Sequence, residues 1–106
     1  MAIKRIWHGW TTPQRAGDYL DVLRGQVIPG IEAKQIPGYR GLELLRRDHP
    51  DEVEFITIMH FDSLESVMAF QGEDYARSHV PAVARAVLSR WDERAQHYEV
   101  LGTAKG

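Results

Sequence analysis

The segment "EVEFITIMHF", Glu52 to Phe61, constrains this chain more than any other stretch. Its β-branched and aromatic content reads as a strand. Alternate side chains of a strand point to opposite faces, so Val53, Phe55, Met59 and Phe61 share one face, with Ile56 and Ile58 on the other. A strand that is apolar on both faces is central in its sheet and needs cover on both. The chain has 106 residues, enough for one core and not two. One domain over 1–106 is therefore expected, with 101–106 as a frayed tail ending in "GTAKG".

The flanking segments supply the partners of that strand. Ile3 to Trp10, "IKRIWHGW", reads as a first strand with faces Ile3/Arg5/Trp7/Gly9 and Lys4/Ile6/His8/Trp10. "TTPQ" starts a helix, with Thr12 as a cap and Pro13 in the first turn. Ala16, Leu20, Leu23 and Val27 then follow at helical spacing, with Tyr19 beside them. "IPG", Ile28 to Gly30, is expected to end or kink that helix. "IPGYRG", Ile36 to Gly41, is turn chemistry leading into the strand "LELLRR", and "DHPD", Asp48 to Asp51, marks a hairpin. "DSLE" reads as a capping box in which Asp62 caps a second helix and Glu65 reaches back, and Gly72 ends that helix. "EDYARSH" is a loop or short turn. Pro81 opens a further helical segment with Val80, Val83, Val87 and Leu88 on one side, and "RWDERAQHYEV" closes the chain as a strand.

Strand, helix, strand, strand, helix, strand is the βαββαβ order of ferredoxin-like α+β folds, with an antiparallel sheet and helices on one face. That leaves the Ile56/Ile58 face without cover. A second copy of the same sheet is the simplest cover, giving a homodimer through sheet-to-sheet packing. The alternative is a monomer that leaves Ile6, Ile56 and Ile58 half wet.

Composition narrows the function classes. The net charge is −2 with signs interspersed, which argues against nucleic acid or an anionic membrane as partner. There is no cysteine, so disulfides, thiolate metal sites and a cysteine nucleophile are excluded. No apolar run approaches a membrane span and no signal-peptide pattern opens the chain, so a cytoplasmic protein is expected. No phosphate loop, metal-spaced cluster or Ser-His-Asp set can be argued, and no metal is expected.

The strand followed by "TTPQRAGDYLDVL", then "IPGYRGLELLRR", "EVEFITIMHFDSLESVMAF" and a closing "HYEV", resembles an antibiotic-biosynthesis-monooxygenase-type domain of the dimeric α/β-barrel superfamily. The likeness runs from Ile3 to Val100, and its most telling parts are Pro37 to Gly41 and "HFDSLESVMAF". The resemblance implies paired subunits, each with a pocket between its sheet and its helices. Superfamily members include cofactor-independent monooxygenases of phenols and quinols, and haem-degrading enzymes. The haem degraders use an asparagine on the first strand, a tryptophan on the second helix and a histidine haem ligand soon after. The matching positions here are Trp7, Phe70 and His79. Only the histidine is retained, and the chain contains no asparagine. Neither haem degradation nor any cofactor is therefore expected.

On this resemblance Trp7 either walls the pocket and stacks on a flat substrate or fills the space as core, while Gly9 leaves a gap beside it. Trp10, on the other face, belongs to the dimer interface. His79, in the segment over the pocket mouth beside Tyr75, is the candidate base, unless it is an exposed loop histidine. Arg5 shares the Trp7 face, where a charge must find a partner or an anion such as a phenolate, or else pair with a carboxylate at the sheet edge. His49, in the hairpin, is solvated. His8 and His60 are expected near the same end of two parallel neighbouring strands.

Two functions stay open. One is a cofactor-independent monooxygenase acting on a small aromatic or quinol-like molecule, with Trp7, Phe70, Tyr75 and Trp91 holding substrate and His79 and Arg5 carrying the chemistry. The other is a non-catalytic dimeric module that binds a small apolar or aromatic ligand or supports a partner. The second survives if Trp7, Phe70 and Trp91 fill the pocket.

Overall fold

The computed structural model describes residues 1–104. Strand β1 spans Ile3–Thr11, β2 Tyr39–Asp48, β3 Val53–Phe61, β4 Arg90–Trp91 and β5 Gln96–Glu99. They form one five-stranded sheet in the order β2-β3-β1, with β4 and β5 both pairing the free side of β1. Every pairing is antiparallel. Helices α1 (Ala16–Val22), α2 (Ile28–Ala33), α3 (Leu64–Gln71) and α4 (Ala82–Arg85) complete the expected α+β arrangement. No helix among the described residues is long and apolar enough to cross a membrane. Of the expected tail, 101–104 carries no secondary structure; residues 105 and 106 lie outside the described residues.

β3 buries Val53, Phe55, Met59 and Phe61 on the helix side, and β1 buries Ile3, Arg5 and Thr11 on the same side. Burying an apolar side chain of this size stabilises by about 1.5–3 kcal/mol. The core has two parts. Tyr19, Leu23, Phe55, Ala84 and Leu88 pack together at one end, with the Tyr19 and Phe55 rings edge-on at 5.0 Å. Ile3, Met59, Phe61 and Val67 form the other. The opposite sheet face presents Ile6, Ile56 and Ile58, partly exposed, together with the exposed Leu45 and Tyr98. Among the described residues no helix lies over it.

Several local readings are corrected. Pro29 does not end the first helix. It sits in the first turn of α2, where its missing N–H costs little. The turn before it, Leu23–Val27, widens to π geometry, and the Ile28 N–H reaches back to the Leu23 carbonyl. Asp62 is not the cap of α3. Ser63 takes that place and accepts from the Ser66 N–H, while both Asp62 carboxylate oxygens bind Arg40, at 2.9 and 2.5 Å. On α4 the buried residue is Ala84, and Val83 is exposed. The closing strand breaks at Asp92–Ala95, where the chain instead ties down the loop before α4: Ser78 N–H donates to the Glu93 carbonyl and Ala95 N–H to that of Ala76.

The two segments that carried the resemblance meet in space. Gly38 accepts from the Asp62 N–H at 2.8 Å, and its φ of +85° places its α-carbon against Ser66. A side chain there has no room, which explains the glycine of the Pro37 to Gly41 turn.

Candidate functional site

A cavity of about 310 Å³ lies between the sheet and the helices. Its sheet wall comes from alternate residues of three strands, Arg5 and Trp7 of β1, Leu42 and Leu44 of β2, Thr57 and Met59 of β3. Its helix wall comes from Tyr19, Leu23 and the widened turn, which adds Gln26 and Val27, together with Ile31, Lys34 and Phe70. Ser78, His79, Val80 and Pro81 close the mouth. The wide π turn adds a residue to one revolution of the helix, and such turns recur at functional sites.

Trp7, Phe70, His79 and Arg5 all line this cavity. The Trp7 indole N–H donates to Ser78 Oγ at 2.8 Å and to the Asp92 carbonyl at 2.9 Å, and Ser78 Oγ itself donates to that carbonyl at 2.6 Å. The ring is therefore fixed at the wall and does not fill the space. The gap beside Gly9 is closed by Trp7 itself and by Leu88, whose atoms lie 3.1 and 3.2 Å from where a Cβ would stand. His79 is exposed at the mouth.

Two expected substrate contacts are not on the wall. Tyr75 packs against the Ile3, Met59, Phe61 and Val67 cluster, edge-on to the His97 ring at 5.1 Å, and is not among the residues facing the cavity. Trp91 packs against the Tyr19–Leu88 core and is not among the residues facing the cavity. The histidine pair on the other face is corrected as well. β1 and β3 are antiparallel, with His8 opposite Ile56 and His60 opposite Lys4, so the two histidines sit towards opposite ends. His8 Nδ1 instead meets Asp92 Oδ2 at 2.6 Å, and His60 Nε2 meets Glu43 at 2.9 Å. His49 is partly buried and bonded to Glu54 at 2.9 Å. Among the described residues no group of three His, Asp or Glu side chains is placed to hold a metal ion.

Arg5 is the electrostatic centre of the cavity. It is 6% exposed, and its Nε and Nη2 are buried without a hydrogen-bond partner among the described residues. The alternative of a carboxylate at the sheet edge is not realised among the described residues, where no salt bridge to Arg5 is formed. Burial lowers the guanidinium pKa to about 10, which still leaves it charged at neutral pH. Its Cζ lies 5.8 Å from the Phe70 ring centre, and Lys34 Nζ lies 4.7 Å from the same ring.

His97 was missed by the sequence reading. It faces Arg5 across the β1–β5 pair, and its Nε2 is buried and unpartnered. Burial first, and then the charge of Arg5, push its pKa down to about 4, so the ring is neutral at pH 7. Only the pairing of β5 with β1, a contact between the two ends of the chain, brings it there. Tyr19, read from sequence as core, both packs and lines the cavity; burial raises its pKa and keeps the hydroxyl neutral.

No family model matches the sequence, and none of the curated proteins does. Solved structures do match. A Bacillus cereus protein provisionally named an antibiotic biosynthesis monooxygenase aligns over 99% of this chain and 98% of its own, with a TM-score of 0.68 and 11% identity. Rv0793 from Mycobacterium tuberculosis aligns over 99% and 100%, with a TM-score of 0.65 and 15% identity. MhuD, the haem degrader of Mycobacterium tuberculosis, solved with two haems in its active site, aligns over 99% and 100% with a TM-score of 0.61 and 20% identity. The chain thus has the fold of the proteins named antibiotic biosynthesis monooxygenases, over nearly its whole length.

Proposed function

We propose that this protein is a cofactor-independent monooxygenase acting on a small phenolic or quinol-like aromatic, with the cavity beside Trp7 as its active site. The observation that carries the reading is the open, mostly apolar cavity into which a buried unpaired cation, Arg5, is built. A volume of about 310 Å³ is at the small end of ligand pockets and suits one or two fused rings. Trp7 and Phe70 flank the slot and orient a flat ring. His79 at the mouth accepts the phenolic proton. Arg5 favours the resulting anion in a site shielded from water.

The chemistry balances without an external reductant. The phenolate ring supplies the electrons to dioxygen, and a bond forms between oxygen and a ring carbon that bears hydrogen, ortho or para to the phenolate oxygen. Cleavage of the O–O bond then leaves one oxygen on the ring as a quinone carbonyl. The other departs as water, taking the ring hydrogen and the phenolic proton. The test is oxygen uptake with naphthols and hydroquinones. Consumption of one O₂ per quinone, lost in His79→Ala and Trp7→Ala, supports the reading. No uptake from any of these compounds removes it in favour of a binding module.

A haem-degrading role fits these residues less well. The fold is shared with a haem degrader and His79 lines the cavity, but Trp7 and Phe70 stand on its wall where the resemblance puts the degraders' asparagine and tryptophan. A Soret titration distinguishes the two.

The working unit is a homodimer joined through the Ile6/Ile56/Ile58 sheet face, because that apolar stripe stays partly exposed among the described residues. Sedimentation at micromolar concentration should give the dimer mass for the native chain and the monomer mass for Ile58→Glu. A native monomer would remove the proposal.

A further inference from the structure

We infer that the ligand of this cavity is an aromatic carboxylate, held with its ring between Trp7 and Phe70 and its carboxylate on Arg5. This deepens the reading of the cavity as the ligand site and is independent of the oxygen chemistry proposed for it.

Three observations converge. The charged side chains on the cavity wall are Arg5 and Lys34, with His79 at the mouth; no aspartate or glutamate lines it. The adjoining surface depression outside the mouth adds Arg77 and Arg85, again with no acid. The chain as a whole has a net charge of −2, so this bias is local to the entrance and the interior. Such a path draws anions inward.

The second observation is the chemistry of the Arg5 fork. Its unpartnered nitrogens are Nε and Nη2. These are the same two atoms with which Arg40 holds both oxygens of Asp62, at 2.9 and 2.5 Å. Two parallel N–H groups match the two oxygens of a carboxylate, whereas a phenolate offers a single oxygen. Both nitrogens are covered by the surrounding packing, so a turn of the guanidinium towards the cavity that Arg5 already lines would present them to a ligand.

The third is charge balance. A buried cation without a counterion is costly, and one carboxylate neutralises one guanidinium. A dianionic phosphate would carry one charge more than the Arg5 guanidinium neutralises. Neutral His97 on the other side of Arg5 adds no competing charge.

The experiment is calorimetric titration of the native protein, under nitrogen so that no turnover intervenes, with 2-naphthoate, 2-naphthamide and inorganic phosphate. Naphthoate is expected to bind at least tenfold more tightly than the amide, and equimolar phosphate is expected not to displace it. Arg5→Gln should bring the ratio to about one, chiefly by weakening naphthoate. Arg5→Lys, which keeps the charge but not the fork, should retain part of the preference and serves if the glutamine variant does not fold. Equal binding of acid and amide, binding of neither, or displacement by phosphate would each overturn the inference. Because oxygen consumption is not read, a silent oxygen electrode bears on the proposed reaction alone.

Discussion

The indole N–H of Trp7 on β1 donates to Ser78 Oγ at 2.8 Å, across 71 positions of sequence. Through this bond the ring at the cavity wall fixes the loop that carries His79, the next residue along. The same indole reaches the Asp92 carbonyl, so one side chain joins the sheet, the loop before α4 and the break between β4 and β5. The shape of the cavity wall and the position of the loop that carries His79 thus depend on one residue.

Trp7→Phe keeps a ring in place but removes both hydrogen bonds. The expected loss of stability is about 1–2 kcal/mol, read by urea unfolding. Amide exchange should accelerate at Ser78 and His79 and stay unchanged in the centre of β3. Unchanged exchange in the loop would mean that Trp7 does not hold it.

Arg5→Met is expected to make the free protein more stable, by about 1–3 kcal/mol, because it replaces an unpaired buried charge with an apolar side chain of similar length. Thermal unfolding in anion-free buffer checks this. A variant less stable than the native protein would show that Arg5 is already compensated in the fold.

His97 makes folding sensitive to mild acid. Its folded pKa, about 4, lies below the ordinary 6.5, so between these values the unfolded chain binds the extra proton. Stability is then complete above pH 6.5 and falls as pH drops towards 4. Allowing for solvent screening of a partly exposed ring, the loss is about 1–2 kcal/mol. Urea unfolding at pH 7 and pH 4.5 should show a smaller difference for His97→Gln than for the native chain. Equal slopes would sink the assignment.

Gly38→Ala should destabilise by about 2–3 kcal/mol. Its Cβ would clash with Ser66 Oγ, in a backbone conformation with φ +85°. Gly41→Ala has a comparable φ, +105°, but nothing within 4 Å, so it should cost less. Unfolding midpoints of the two variants separate the steric contribution from the backbone one.

Much of the fold was legible because it rests on local periodicity. The two-faced apolar pattern of Val53 to Phe61 identified the central strand, the alternation of Ile3 to Trp10 assigned Arg5 and Trp7 to one face, and the order of elements implied the sheet. Readings failed where a local signal had two outcomes. Pro29 is as compatible with the first turn of a new helical segment as with the end of an old one. Asp62 and Ser63 can each cap a helix, and the choice was made by Arg40, a residue brought in from another strand.

The sequence by itself determined the α+β order and the faces of β1 and β3; of the six candidate residues, Arg5, Trp7, Phe70 and His79 line the cavity. Only the tertiary structure decided that Trp7 walls the cavity and leaves it open, that Tyr75 and Trp91 turn away from it, and that His97 sits beside Arg5. These outcomes depend on contacts between distant segments: Trp7 with Ser78 and Asp92, and β1 with β5. Periodicity reports which way a side chain points along its own element. It carries no information about the partner that meets it there.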